Sequence, residues 1–330
     1  MPDDSSKTPM TEEEIQQVRQ DVLALLAAEG LTKAAAARDA GIHEATFNAF
    51  VNGTYQGDNR RIAASCLRWM RARRDRQRQR ATLPAAPAHV ETPTAAAITE
   101  VLGYAQAAGD MVVVSGPPGI GKTSAACAYA KATPNVWKIT GHPMLHAPKP
   151  AMEELARMLG MPGSSAIQSL HRAVVHKVRG TGGLIIVDEA NHLGAVTLDQ
   201  LRAIHDEAGV GLALLGNATT LVRIEGGARA AEFAQLFSRV GMRLTSARDH
   251  RARLPGDVEA YLDAWGVEDA GARKLLGAIG RKPGALRNVK KALQLAHMVA
   301  RSETGILTAE HVQLAWRRLA ESDAIGGEAA

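Results

Sequence analysis

Short apolar runs alternate with segments of helical periodicity through the middle of the chain. Five of these runs have the length and composition of buried strands, at residues 111–115, 135–140, 184–188, 211–215 and 240–246. The helical segments between them favour a parallel sheet covered by helices on both faces. Because ligands of such sheets bind at the carboxyl ends of the strands, we predict an α/β domain over residues 95–248 with its site at that edge.

Helical periodicity alone characterises the first 80 residues, which we predict to form a separate N-terminal domain. Lys33–Ala40, a turn at Gly41 and His43–Val51 have the spacing of a helix-turn-helix. Phe47 and Phe50 are expected to face the core. The polar residues of the second helix would then be free to approach DNA.

The outward residues of this domain suggest contacts with DNA. His43 and Asn48 are expected where the edges of a major groove would lie. A fourth helix, Arg61–Arg80, is expected to expose an arginine stripe that includes Arg73 and Arg74 and could hold phosphates non-specifically. An Ala-rich helical bundle used for protein contacts is the alternative that these residues leave open.

The remaining segments divide the chain further. Residues 81–94 are rich in proline and alanine, which predicts a stiff and extended linker. Residues 249–322 show helical periodicity and a basic surface, which predicts a small helical lid domain able to meet DNA or an acidic protein. Residues 323–330 are expected to form a disordered tail.

Residues 116–123 read Gly-Pro-Pro-Gly-Ile-Gly-Lys-Thr and directly follow the first predicted strand. This is the G-x-x-x-x-G-K-[ST] pattern of a phosphate-binding loop. Its glycines let backbone N–H groups turn toward phosphate oxygens, and the following helix adds its positive N-terminal end. Lys122 supplies charge for the β- and γ-phosphates, and Thr123 supplies a hydroxyl for Mg²⁺. The loop therefore predicts ATP and Mg²⁺ as ligands.

A pair of acids follows the apolar run of the third strand. Asp188 is placed to hold Mg²⁺ through water, and Glu189 is placed to polarise the attacking water as a general base. Asn217, after the fourth strand, is predicted to orient water near the γ-phosphate, although asparagine is also common in turns. The predicted metal ligands are Thr123 and Asp188, and the predicted nucleotide-binding residues are Gly116, Pro117, Pro118, Gly119, Ile120, Gly121, Lys122, Thr123, Ser124, Asp188, Val90 and Pro93.

Two arginines complete the predicted catalytic set. Arg239 lies just before the last strand, from where it would reach the nucleotide of a neighbouring subunit better than its own. An arginine supplied in trans stabilises transition-state charge and links hydrolysis to assembly. Arg243 and Arg229 are competitors for this role. Arg287 opens a helix of the last domain and is predicted to touch the γ-phosphate and report the nucleotide state to that domain.

Composition indicates which class of partner and which cell compartment to expect. The net charge is +5, but nine arginines and one acid lie between residues 60 and 80, and eight basic residues without an acid lie between 271 and 301. Such clusters favour a polyanionic partner. Cys66 and Cys127 lie far apart in apolar helical stretches and are interpreted as reduced thiols of a cytosolic protein. The absence of a signal-peptide pattern and of long apolar runs predicts a cytoplasmic protein without a membrane span.

These motifs together resemble those of the AAA+ superfamily and, within it, of the Mu B family of transposition ATPases. The resemblance extends over nearly the whole chain. It is carried by the phosphate loop and by residues 52–59, 90–94, 136–137, 183–193, 216–217, 232–233, 236–239 and 282–287.

The resemblance implies a function that spacing and composition alone do not. It implies an ATPase, stimulated by DNA and a transposase, that binds double-stranded DNA without sequence specificity. It also implies self-association into helical filaments on target DNA, delivery of that DNA to the transposase, and action in the host cytoplasm if a phage or prophage encodes the chain. The basic residues of the ATPase domain that would contact DNA are Lys149, Arg172, Lys177 and Arg179.

Two other functions remain open from the residues alone. A helicase-loader-type ATPase of replication would share the same nucleotide site. A nucleotide-gated transcription regulator would use the helix-turn-helix to recognise an operator. The helix-turn-helix and the basic lid favour the transposition function over the helicase loader, and the presence of Glu44 in an arginine-poor recognition helix argues against the regulator.

Overall fold

The fold falls into two compact units, residues 1–83 and residues 84–330. The computed structural model describes residues 10–82, 87, 89–161, 166–217, 239–245, 247–303 and 305–327. Each unit is built around apolar cores of its own. Within the described ranges, no helix combines the length and the apolar character that crossing a membrane requires.

Four helices around an apolar core make up the described part of the first unit. The first helix begins with a capping box, since the Thr11 hydroxyl accepts from the Glu14 N–H and the Glu14 carboxylate accepts from the Thr11 N–H. Phe47 and Phe50 are fully buried, and the ring of Phe47 meets that of Trp69 edge-on with centroids 6.3 Å apart. The helices are α1 (Glu12–Glu29), α2 (Lys33–Ala40), α3 (Glu44–Val51) and α4 (Asn59–Thr82).

The α2–α3 pair has the helix bounds expected for the helix-turn-helix spacing. α2 occupies the predicted residues and ends at Gly41, and Ala37 is buried. α3 begins at Glu44 rather than His43, because His43 has extended backbone angles and serves as the N-cap. The binding of DNA by this pair stays a prediction.

The second unit contains a parallel sheet. Among the described residues it has five strands in the order β2-β3-β4-β1-β5. The predicted α/β class with a parallel sheet is therefore confirmed. Every residue of β3 is buried, which explains the unbroken apolar run in its sequence. The strands are β1 (Met111–Ser115), β2 (Val136–Thr140), β3 (Leu184–Asp188), β4 (Gly211–Gly216) and β5 (Val240–Leu244).

Helices cover both faces of this sheet. They are α5 (Pro93–Ala108), α6 (Lys122–Ala132), α7 (Pro148–Met158), α8 (Ile167–Val178) and α9 (Ala195–Ala208). Side chains alternate along each strand, so the apolar core divides in two. Val113, Ile185 and Leu214 pack in one cluster with α7, α8 and α9, whereas Val112 and Ile186 pack in the other with α5 and α6.

The C-terminal part of the second unit is helical, as predicted. Leu262, Leu276, Val289 and Leu293 are buried in its own apolar cluster. The last helix continues to Gly327, into the segment for which a disordered tail was predicted. The helices are α10 (Ala247–Ala264), α11 (Ala270–Gly280), α12 (Ala285–Glu303) and α13 (Ala309–Gly327).

The predicted linker over residues 81–94 is shorter than expected. At one end α4 continues to Thr82, and at the other α5 begins at Pro93. The Thr92 hydroxyl accepts from the Ala95 N–H and Pro93 occupies the first turn, which is a favourable start for a helix. The capping residue and the proline lie in a segment whose composition alone suggested an extended chain.

A buried carboxylate joins α5 to α10. Asp257 lies within α10 and accepts hydrogen bonds from the Thr94 N–H at 2.7 Å and from the Thr94 hydroxyl at 2.6 Å. Both side chains are almost fully buried. The carboxylate also lies at the N-terminal end of α5, where the helix dipole favours negative charge. The two hydrogen bonds therefore hold the C-terminal helices against the start of α5.

Replacing Thr94 by valine tests this junction. The change keeps the shape of the side chain but removes one of the two donors to a buried carboxylate. We expect a loss of about 1.5–3 kcal/mol in the free energy of unfolding, measured by urea denaturation of the full chain. Thr99→Val, on the exposed side of the same helix, is the matched control and should change stability by less than about 0.5 kcal/mol. Equal effects of the two substitutions would show that the junction contributes nothing.

Candidate functional site

The phosphate loop connects β1 to α6 and has the backbone that its glycines permit. Gly119 and Gly121 have φ angles of 87° and 99°, in the left-handed region that favours glycine. Gly121 is the N-cap of α6, so the unpaired N–H groups of the first helical turn lie beside the loop. This end of α6 therefore favours an anionic ligand.

Lys122 is buried against this loop. Its ammonium group donates to the carbonyl oxygens of Gly116 at 2.8 Å and of Pro117 at 3.0 Å. Burial lowers the pKa of Lys122, while the charges of Glu189 and Asp188 act in the opposite direction. A phosphate beside this ammonium group would compensate for the lost hydration.

The acids predicted at the end of β3 lie next to the loop. Asp188 is buried, and its carboxylate accepts from the Glu189 N–H at 3.1 Å and from the Lys138 ammonium group at 3.3 Å. Glu189 has a φ of 50°, an unusual left-handed conformation for a residue with a side chain. A Cβ on Gly141 would overlap the carbonyl oxygen of Glu189, so the loop after β2 packs directly on this turn.

A cavity of about 340 Å³ joins these elements. This volume is within the range of small-molecule sites. The predicted residues Glu189 and Arg287 face it from opposite structural parts, the end of β3 and the helix α12. Its lining residues are Pro87, His89, Val90, Thr92, Ala95, Pro118, Gly119, Gly121, Lys122, Thr123, Ser124, Glu189, Tyr261, Leu286, Arg287 and Lys290.

Several lining residues were missed by sequence reasoning. Tyr261 lies in the helical periodicity of the C-terminal segment, and only the tertiary packing brings it to the cavity. Lys290 follows Arg287 by three residues on α12, a spacing that puts both on one side of a helix and could have signalled the second cation. His89 and Thr92 lie in the segment that composition assigned to a linker.

The C-terminal helices touch the phosphate loop at two points. The ring of His250, on α10, is buried and its Nε2 donates to the Ser115 carbonyl oxygen at 2.8 Å. A Cβ on Gly119 would overlap the carbonyl oxygen of Gly284, which precedes α12. The loop and the C-terminal helices therefore pack backbone against backbone at the site.

Two of the predicted catalytic residues lie outside this cavity. The Asn217 carbonyl oxygen accepts from the Ser115 hydroxyl at 3.1 Å, next to the strand that enters the phosphate loop. Arg239 is 55% exposed, and its Nε lies 3.5 Å from the Asp206 carboxylate. Its competitor Arg243 is exposed on β5. Arg229 lies outside the described residues, as do residues 232–233 and 236–238, which carry part of the family resemblance.

Other predicted nucleotide contacts lie at the base of the loop. Gly116 follows β1, and a Cβ there would overlap the His250 ring. Ile120 is a buried residue of the loop itself, and Pro93 begins α5. Asp188 accepts a hydrogen bond from the Glu189 N–H and is not one of the residues that line the cavity.

The residues of the ATPase domain that were predicted to contact DNA are exposed, but two of them interact with glutamates of the same chain. Arg179 donates to the Glu207 carbonyl oxygen at 3.1 Å, and Lys149 lies 3.8 Å from the Glu153 carboxylate. Arg172 and Lys177 project from α8, and neither forms an ion pair with a described residue. These two have charge available for a polyanion.

The predictions for the N-terminal unit need two corrections. Arg73 is held by the carboxylates of Glu29 at 2.6 Å and of Asp39 at 2.9 Å, so it is an internal ion pair rather than a member of an exposed stripe. Asn48 is only partly exposed, and its side-chain oxygen is buried because α3 packs against its neighbours at that position. His43 and Arg74 are exposed as predicted, although their contact with DNA stays a prediction.

The residues present fit a magnesium ion that is held mainly by water and phosphate. Thr123 and Asp188 supply a hydroxyl and a carboxylate, the hard oxygen donors that Mg²⁺ prefers. The described residues contain no cluster of three or more histidine, cysteine, aspartate or glutamate side chains that could enclose a metal by itself. A nucleotide would therefore have to provide part of the coordination sphere.

Comparison with known proteins identifies relatives along nearly the whole chain. Residues 238–319 match the family described as "Mu B transposition protein, C terminal", and residues 106–224 match an AAA domain. The chain is 35% identical over 306 residues to the ATP-dependent target DNA activator B of Escherichia phage Mu, covering 92% of this chain and 96% of the relative. It is 34% identical over 260 residues to the Mu-like prophage FluMu DNA transposition protein B of Haemophilus influenzae, covering 78% and 88% of the two chains.

Solved structures show a more distant likeness. A chain from the Drosophila ORC bound to DNA is 19% identical with a TM-score of 0.47, covering 70% of this chain and 62% of that one. The RuvB Holliday junction branch migration motor of Thermotoga maritima is 18% identical with a TM-score of 0.45, covering 71% and 72%.

Replacing Lys122 by methionine separates ligand binding from folding. Because burial already disfavours the charge of Lys122, we expect the variant to keep the thermal midpoint of the wild type in the absence of nucleotide. Magnesium-ATP at 100 times its dissociation constant should stabilise the wild type by about 2.7 kcal/mol and the variant hardly at all. Thermal unfolding with and without Mg·ATP measures both effects. Lys131→Met, exposed near the end of the same helix, is the control that should respond like the wild type.

Proposed function

The chain belongs to the Mu B family of transposition proteins, and from that premise we propose that it is an ATP-dependent DNA-binding ATPase that activates target DNA for transposition. We further propose that it assembles as a helical filament on double-stranded DNA without sequence specificity and delivers that DNA to a transposase. The observation that carries the proposal is that the phosphate loop, Glu189 and Arg287 line one and the same cavity. The printed names of its relatives, a target DNA activator and a DNA transposition protein, support the rest.

The arrangement of the lining residues supports the proposed ATP hydrolysis. The N–H groups at the start of α6 and the Lys122 ammonium group would hold the phosphates, with Lys122 exchanging loop carbonyls for phosphate oxygens. Glu189 would accept a proton from the attacking water, and Arg287 would stabilise charge on the γ-phosphate. Bound Mg²⁺, held by Thr123 and through water by Asp188, would neutralise charge on the β- and γ-phosphates.

Assembly is proposed to complete the site. Arg239 is half-exposed, outside the cavity lining, and its contact with Asp206 contributes little at such an exposed position. Such an arginine is free to enter the nucleotide site of a neighbouring protomer. A contact between the nucleotide face of one copy and the Arg239 face of the next is heterologous, and repetition of a heterologous contact generates rings or open helices.

Binding of DNA is proposed to rest on exposed cations rather than base recognition. Arg172 and Lys177 on α8 and Arg74 on α4 are exposed. Contacts of this kind hold phosphates, so the affinity should fall steeply with salt and vary little with sequence. Arg73 and Arg179 contribute less, because carboxylates of the same chain already engage them. We place the protein, if a phage or prophage encodes it, in the host cytoplasm, where it would meet the transposase that stimulates its hydrolysis.

The Glu189→Gln variant tests the proposed function directly. Loss of the general base should lower ATP turnover by about 10²-fold or more while leaving ATP binding intact. Electron microscopy of the variant with duplex DNA should therefore show filaments that persist in ATP, whereas wild-type filaments should disassemble as ATP is consumed and should be absent in ADP.

The same experiment distinguishes the other functions. Protein that stays monomeric and off the duplex in Mg·ATP would contradict the proposal. A helicase loader would require a replicative helicase for its activity, and a transcription regulator would prefer one sequence in competition with random DNA. Rapid loss of Glu189→Gln filaments in ATP would remove Glu189 from the hydrolytic role.

Arg239→Ala tests the contribution from the neighbouring protomer. If Arg239 acts in trans, ATP turnover of DNA-assembled protein should fall on the order of 10³-fold, whereas the low turnover of dilute monomer should stay unchanged. Turnover measured across a range of protein concentrations separates the two cases. Arg243→Ala, on the strand β5 that directly follows Arg239, is the comparison variant. An equal loss in dilute and assembled protein would place Arg239 in its own site instead.

A further inference from the structure

Lys138 is a charged residue in an apolar strand, and the proposed hydrolysis does not use it. It lies in the middle of β2, an edge strand of the sheet. Side chains of a strand alternate between its faces, so Lys138 shares its face with Thr140. Thr140 is opposite Asp188 in the pairing of β2 with β3. The lysine side chain therefore runs along the sheet toward the end of β3.

The ammonium group of Lys138 meets the Asp188 carboxylate at that end. Its Nζ lies 3.3 Å from Asp188 Oδ2 and donates to Thr140 Oγ1 at 2.9 Å. The side chains of Lys138 and Asp188 are only 16% and 2% exposed, so water screens the pair poorly. A carboxylate buried to this degree is costly unless a cation or several donors accompany it. Lys138 and the Glu189 N–H supply that compensation.

Lys138 differs from Lys122, the buried lysine of the site, in its partners. Among the described residues, Lys122 donates hydrogen bonds to two carbonyl oxygens of the loop. These bonds can be exchanged for bonds to phosphate oxygens. Lys138 instead contacts the acid that the proposed function assigns to magnesium. A divalent cation that approaches Asp188 must share the carboxylate with an ammonium group 3.3 Å away, and the two positive charges repel one another.

We propose that Lys138 is a built-in counter-cation of Asp188 and makes magnesium binding at this carboxylate depend on bound nucleotide. The inference rests on the proposed role of Asp188 in holding Mg²⁺. Without nucleotide, Lys138 satisfies the acid and repels the metal. With nucleotide, the negative charge of the triphosphate outweighs this repulsion, so metal and nucleotide bind together. The carboxylate is held in one orientation throughout, which makes Lys138 a positioning residue.

The test measures how Mg²⁺ stabilises the full-length protein with no nucleotide present. The thermal midpoint of the wild type should not rise with Mg²⁺, whereas that of Lys138→Met should rise, because the variant loses the ammonium group that contacts Asp188 and leaves this carboxylate to the metal. The Mg²⁺ concentration for half-maximal binding of a non-hydrolysable fluorescent ATP analogue should also fall about three- to tenfold in the variant. Lys131→Met is the matched control and should behave as the wild type.

Two further variants keep the test decisive. Lys138→Gln removes the charge but keeps a hydrogen-bond donor on a slightly shorter side chain, so it should show the same metal response if Lys138→Met fails to fold. Adding Asp188→Asn to either variant should abolish the response to Mg²⁺ alone, because the carboxylate is then lost. Unchanged magnesium dependence in folded Lys138 variants would overturn the proposal and leave the ion pair with a structural role. Failure of the wild type to bind the ATP analogue at all would instead contradict the proposed function.

Discussion

The position of β4 between β1 and β3 is the constraint on which the site depends. The phosphate loop follows β1, and the acids follow β3. Neighbouring strands lie about 4.8 Å apart, so the two strand ends are separated by about 10 Å. This gap leaves room for phosphate groups and a metal between the loop and the carboxylates. Asn217 follows β4, between these two strand ends but outside the cavity lining, and its backbone carbonyl accepts a hydrogen bond from the Ser115 hydroxyl. Register and strand order thus position the chemistry before any side chain is considered.

Charge balance is the second requirement of this arrangement. The buried Lys122, the partly buried Lys138 and the arginine of α12 accompany the two acids of the β3 end, and both lysines have partners among their neighbours. Among the described residues, the hydrogen bonds of Lys122 go to carbonyl oxygens, which are weaker partners than phosphate. Asp188 is compensated by a full positive charge. The site is therefore asymmetric, with a cation that gains from an anionic ligand and an acid that already has its cation. This asymmetry explains why the nucleotide, rather than the metal alone, should be the ligand that the site selects.

The parts of the fold that were predictable from sequence are those with local signals. The strands show as apolar runs, and the phosphate loop as glycines at fixed spacing before Lys122. The parts that were not predictable depend on residues distant in the chain. The pairing of Lys138 with Asp188 needs the register of β2 on β3, and the place of Tyr261 needs α10 to cross the cavity. Arg73 looked like a free cation because its partners on α1 and α2 are far away in sequence. Composition described these side chains correctly as basic or apolar but could not assign their contacts.

The cavity lies where the C-terminal helices pack against the sheet domain of the second unit. Arg287 and Gly284 belong to the same turn at the start of α12, and Gly284 packs on the phosphate loop at Gly119. A movement of α12 that withdraws the arginine must therefore also release this backbone contact. α10 is tied to the end of β1 through His250 and to α5 through Asp257. Since these attachments flank the cavity, a ligand that bridges the loop and Arg287 adds to contacts that already favour the closed packing. A nucleotide bound in this cavity would in this way be linked through the backbone to the position of the C-terminal helices, which is the property that the proposed assembly requires.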